Sequence, residues 1–198
     1  MNYVVIVGFS YIISTVSCYR QFNSRDETDL CRYCREFPRN QLFGWPLYNR
    51  RPAMLRTVSI RGASEFCDIF NNDALTKADF INALQNWSNA QDDRTQGLVR
   101  EYVQGLEARR NETVAGLRQA AVNLSRNAQD AIESIVNIID NMNITSSDED
   151  EQVYNAINGR PLSVRAELWA VSVEIRRTHG SSDFFVPPPF SHSHYPII

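Results

Sequence analysis

The twelve residues from Asp140 to Glu151 are rich in oxygen-bearing side chains, with Asp140, Asn143, Asp148, Glu149 and Glu151 the candidate ligands. Carboxylate and amide oxygens at this density are the donors a hard divalent cation takes, calcium or magnesium. Counted from Asp140, Glu151 falls at position twelve, where a calcium loop places its bidentate glutamate. Other positions depart from that pattern. Met142 and Ile144 stand at the third and fifth positions and cannot ligate, and Thr145 stands where the sharp turn wants glycine. Too few oxygens remain for the roughly six to eight that calcium prefers, so water would fill the shell and Kd would be on the order of 10⁻⁴ M or weaker. Such a site would add roughly 1–3 kcal/mol of stability at millimolar calcium. The competing reading is that the acids complement the positive end of a helix start.

A related stretch lies about seventy residues earlier. Ile69 to Leu84 reads IFNNDALTKADFINAL, and Ile138 to Val153 reads IIDNMNITSSDEDEQV. Leu75, Thr76 and Asp79 answer Ile144, Thr145 and Asp148. Either the chain repeats a helix-loop-helix, or two helix starts use the same capping chemistry. The earlier loop is the poorer cation candidate, because position twelve from Asn71 is Asn82.

Catalysis has little to work with. All three histidines, His179, His192 and His194, lie at the end of the last predicted helix or in the tail, so no histidine base sits in the body. Carboxylates are plentiful, but acids on helix surfaces are solvated faces as a rule. The expectation is a protein without enzymatic activity. His192 and His194 make at best a two-ligand metal site.

Four cysteines, Cys18, Cys31, Cys34 and Cys67, suit two disulfides with three connectivities open. A zinc ribbon needs a second close pair, and a redox C-x-x-C needs a strand before it and a helix after it; both are missing. One bridge is expected to join Cys67 to the chain before it. Sequons stand at Asn86, Asn111, Asn123 and Asn143. Asn86 precedes an apolar Trp87 within a helix, which leaves Asn111, Asn123 and Asn143 as the glycosylation candidates.

The elements that position these groups read as helices. Ala128, Ala131, Ile132, Ile135, Val136, Ile139 and Met142 recur at spacings of three and four, one apolar helical face. Thr145, Ser146 and Ser147 each precede an acid by three residues, so any of them suits the N-cap of the next helix. Val153, Tyr154 and Ile157 form its inward face, and Gly159 with Pro161 ends it. Upstream, a short helix carries Phe66, Ile69 and Phe70. Thr76 caps another with Phe80, Ile81, Leu84 and Trp87. Residues 98–124 keep helical spacing as one long helix, or as two broken near Asn111. A last helix runs from about Leu162 to Arg177 with Leu168, Val171 and Ile175 inward. No stretch after residue 60 alternates, so the fold is expected to be all-α, a compact bundle of five to seven helices with two helix-loop-helix units.

Around this body, expected over residues 63–178, the chain changes character. Residues 1–17 form an apolar run ending in small residues before Cys18, which reads as a signal peptide; a buried strand is the alternative. The run is too short to span a membrane, and no other approaches that length, so a secreted chain with no membrane span in its mature form is expected. Residues 18–62 carry nine Arg and four acids, and residues 63–158 seven basic and sixteen acidic side chains. A basic arm can therefore lie on an acidic body. Its prolines favour irregular chain tied down by disulfides, and its aromatics show no stacking pattern for nucleic acid. Residues 179–198 hold four prolines in the last twelve positions and no periodicity, and read as a disordered tail.

The sequence resembles the SXP/RAL family of secreted nematode antigens over about residues 64–176. The resemblance rests on Leu75, Thr76, Asp79 and Trp87 in one helix, and on Ile144, Thr145, Asp148 and Glu149 at the start of a second. It does not account for the cysteine-bearing arm or the Pro-rich tail. It implies a small, secreted, all-helical protein without established enzymatic activity, of the host-interface antigen type. A calmodulin-like helical arrangement with divalent-cation binding is suggested for the family.

The expected function is thus a secreted, non-enzymatic helical interaction protein with a protein partner, from a host for example, and weak calcium or magnesium binding at the acidic loop. The alternative is an extracellular carrier of a fatty acid or another apolar ligand, with Phe66, Phe70, Phe80, Trp87, Tyr102, Tyr154 and Trp169 lining its cavity. The sequence does not fix an oligomeric state.

Overall fold

The computed structural model describes Leu30, residues 32–35 and residues 51–179, with side chains through Val173. The predicted signal peptide, Cys18, Cys31 and the Pro-rich tail lie outside the described residues. Six α-helices follow a 3-10 helix at Ala53–Leu55: α1 Ile60–Phe70, α2 Lys77–Ser88, α3 Asp93–Ala121, α4 Arg126–Asp140, α5 Ser146–Asn158 and α6 Leu162–His179. Among the described residues there is no strand; the sole extended pairing is one isolated bridge. The all-α expectation holds. The arm is less irregular than its prolines imply, because residues 32–35 are helical.

Among the described residues the chain divides into two compact units. One runs to Leu106 and takes in Asn143–Ser147; the other holds Glu107–Met142 and the chain from Asp148. Helix α3 runs through both as one element, unbroken at Asn111 and Gly116.

The first unit is centred on Phe66, which is fully buried among Leu55, Ala63, Leu84 and Val99. Ser59 starts α1 by accepting from the Gly62 amide at 3.0 Å. Gly62 leaves room for its neighbours: an added Cβ would lie 2.7 Å from Val58 Cγ1. The Gly62 carbonyl accepts the Trp87 indole N–H at 3.0 Å, which fixes α2 against α1 while satisfying a buried donor. Phe66 meets Trp87 with centroids 5.0 Å apart and Phe70 at 5.6 Å. The expected tie from Cys67 to the arm is present as a disulfide to Cys34. Arg51, 7% exposed, donates to the Val58 carbonyl at 2.7 Å, so its buried charge is hydrogen-bonded within the segment leading into α1.

Helix α3 starts on a cluster. Asp92 accepts from the Thr95 amide at 3.0 Å and from the Thr57 hydroxyl at 2.9 Å. The Thr95 amide first, and then the Thr57 hydroxyl, hold its carboxyl below the usual carboxylate range. A depressed folded pKa stabilises above the unfolded value, and the contribution disappears as pH falls through the folded one. Asp92→Asn is therefore expected to flatten the loss of stability below about pH 4. Urea midpoints from pH 5 to pH 2 for the parent and the variant measure this; parallel curves would refute it.

The second unit is built on α4. Ala128, Ala131, Ile132, Ile135 and Val136 are all fully buried and pack with Leu117, Ile157, Val164 and Leu168. Ser125 caps α4 through the Ala128 amide. Glu167 of α6 takes the Ser125 hydroxyl at 2.7 Å and its amide at 2.8 Å. Two expected inward residues point elsewhere: Tyr154 is 49% exposed and Trp169 38%. On α5 the position facing the core is Ile157, with Val153 one turn before it, and Tyr154 lies about 100° round from Val153. On α6 the buried row is Val164, Leu168 and Val171, which leaves Trp169 outside it.

Candidate functional site

Both loops read from the sequence as related are short. Six residues, 71–76, join α1 to α2, and five, 141–145, join α4 to α5. The twelve-residue register from Asp140 to Glu151 therefore does not describe a loop. Its second half is helix, because α5 begins at Ser146.

In the first loop the polar side chains are used locally. The Thr76 hydroxyl accepts from the Asp79 amide at 3.1 Å and donates to the Asp79 carboxylate at 2.7 Å. Asn72 Oδ1 accepts from the Ala74 amide at 3.1 Å, an Asx turn, and the Asn71 amide group donates to the Cys34 carbonyl at 3.3 Å. Thr76 pairs with Thr145 in an isolated antiparallel bridge, and the Lys77 amide donates to the Ile144 carbonyl at 3.0 Å. The residues that meet are the ones the sequence comparison set at equivalent positions. Local symmetry between two helix starts is what a repeated helix-loop-helix produces.

The candidate ligands are distributed as follows. Asp140 is the exposed last residue of α4, and Asn143 is an exposed turn residue. Asp148 and Glu149 lie in the first turn of α5, and Glu151 is exposed further along it. Successive residues on a helix diverge by about 100°, so Glu149 is turned away from the side shared by Asp148 and Glu151. Among the described residues no three His, Cys, Asp or Glu side chains are grouped so as to hold a metal ion. The residues present do not fit a divalent cation.

A further group bears on this, and sequence reasoning missed it. Arg110 of α3 donates through Nη1 to the sulfur of Met142, the second residue after α4. Its Nε is buried without a hydrogen-bond partner. An orphaned N–H asks for an acceptor, the opposite polarity to a vacant cation site. Arg110 is one of many arginines in helical sequence, and nothing local to it signals the contact.

Four of the aromatics proposed to line a cavity, Phe66, Phe70, Phe80 and Trp87, pack on one another: Phe70 meets Phe80 at 6.2 Å, beside the Phe66 contacts with Phe70 and Trp87. The sequon residues Asn111, Asn123 and Asn143 are all exposed, on α3, in the turn after it and in the second loop respectively. Among the described residues no helix is long and apolar enough to cross a membrane.

No curated protein and no solved structure matches the chain. A family model does, that of the SXP/RAL-2 family protein Ani s 5-like, metal-binding domain, over residues 1–172. The match takes in the cysteine-bearing arm, which the resemblance in the sequence did not cover. With the paired helix starts and the match over most of its length, the chain belongs to the SXP/RAL-2 family.

Proposed function

We propose that this chain is a secreted, non-enzymatic helical interaction protein of the host-interface antigen type. Its two helix-loop-helix units are closed by the protein's own groups. The observation that carries the reading is the pairing of Thr76 with Thr145, flanked by the capping contact of Thr76 with Asp79. A loop that a metal shapes keeps its oxygens for the metal; the first loop spends those of Asn72 and Thr76 on a turn and a helix cap. Secretion is supported by the apolar first seventeen residues and by the Cys34–Cys67 bridge, since disulfides persist in oxidising compartments. Catalysis is disfavoured because the histidines lie at or beyond the end of α6.

The family domain is described as metal-binding. On the present reading, calcium or magnesium binding at Asp140, Asn143, Asp148, Glu149 and Glu151 is weaker than in extracellular calcium modules, with Kd above about 10⁻³ M. The test is thermal unfolding of the full chain in chelator and in millimolar calcium or magnesium. The midpoints are expected to agree within about 2 °C. A larger rise would give the fold a structural ion and overturn the reading.

A further inference from the structure

Helix α6 is apolar on two sides. Val164, Leu168 and Val171 face the core of the second unit. Leu162, Trp169 and Val173 are exposed, at 52%, 38% and 45%. At about 100° per residue these three lie within about 40° of one another, roughly half a turn round from the buried row. Large apolar side chains that line up, instead of scattering singly, mark a surface that something covers. The stripe is too small for a stable contact between separate molecules: three side chains stand against the roughly 20–30 residues a side of a standard interface. A tether removes that requirement, because a linked segment is present at an effective concentration on the order of millimolar.

Helix α6 itself leads into a segment of matching chemistry. Residues 180–198 lie outside the described residues, and their sequence reads GSSDFFVPPPFSHSHYPII. We propose that residues 184–190 fold back along α6 and cover Leu162, Trp169 and Val173. Gly180, Ser181 and Ser182 are residue types that turn a chain. From His179 back to Trp169 is ten residues of helix, about 15 Å. The five residues 180–184 span about 16 Å when extended, which brings Phe184 and Phe185 level with Trp169. The remaining residues of the segment carry Phe190 as far as Leu162. Pro187, Pro188 and Pro189 favour the polyproline II helix, which is ordered at little entropic cost and suits an aromatic surface. That helix makes no internal hydrogen bonds, so its carbonyls are acceptors for the Trp169 indole N–H.

The experiment follows Trp169 in the full chain by acrylamide quenching of its fluorescence, its share taken as the difference between a chain and the same chain with Trp169→Phe. The parent is compared with a chain carrying Phe184→Ser, Phe185→Ser and Phe190→Ser together, which alters none of the described residues. Trp169 is expected to be quenched about twofold more strongly in the serine variant, as the tethered cover is lost. The helical circular dichroism of the two chains is expected to agree, and the protection of Trp169 in the parent is expected not to vary with protein concentration. Equal quenching of Trp169 in parent and serine variant overturns the proposal. Protection that grows with protein concentration would assign the face to a second copy. Protection that arises only on adding phosphatidylcholine vesicles would assign it to lipid. Either of these also overturns the proposal, and both leave the chain's reading as a non-enzymatic interaction protein standing.

Discussion

Removing the bridge between Cys34 and Cys67 is expected to cost about 4 kcal/mol, within the range of about 2–5 found for native bridges in small secreted domains. The bridge closes a separation of 33 residues, and the chain-entropy cost of that loop in the unfolded state gives the central figure. The sulfurs are well placed to deliver it. Cys34 is fully buried and Cys67 is 3% exposed, beside Leu30, Tyr33 and Phe66 in one cluster. Denaturant unfolding of the double variant Cys34→Ala/Cys67→Ala against the parent measures the loss. Equal midpoints would mean that the helices of the first unit hold the arm unaided.

Phe66→Ala is expected to destabilise by about 3–5 kcal/mol. The side chain is fully buried and touches rings on two helices, Phe70 of α1 and Trp87 of α2. Its loss leaves a cavity that the adjoining disulfide and the Trp87 indole bond to Gly62 prevent from collapsing. Phe66 and Cys67 are neighbours, so the two costs should not add in a combined variant. Tyr154→Ala is the control. At 49% exposure it should change stability by no more than about 0.5 kcal/mol, although its place in the sequence resembles a core position. A Phe66 variant as mild as the Tyr154 variant would contradict the placement of the first core.

What could be read in the sequence was local. The stripe of Ala128, Ala131, Ile132, Ile135 and Val136 follows helical period so closely that its burial is foreseeable, and so is the cap at Thr76. Long α3 was ambiguous because glycine lowers helix propensity, and tertiary packing of Val114 and Leu117 overrides that penalty. Tyr154 reads from the sequence as inward beside Val153 and Ile157, but Ile157 and Val153 already fill that side of α5. The candidate cation site was harder. A twelve-residue count is blind to where the helix begins, and five residues of connection make a different object from twelve. Contacts such as Arg110 with Met142 and Glu167 with Ser125 join residues far apart, and no spacing rule announces them.

The clasp of Glu167 on Ser125 has a consequence in time. During synthesis α4 leaves the ribosome with its apolar face complete, but the carboxylate that holds its N-cap Ser125 is encoded 42 residues after that serine. At roughly 5–20 residues per second, α4 waits several seconds for it. For that interval Ile132, Ile135 and Val136 belong to a helix whose partners on α6 do not yet exist. The nascent second unit therefore passes through a stage in which its most apolar helix is exposed to chaperones and to other chains. It leaves that stage only when α6 has been made.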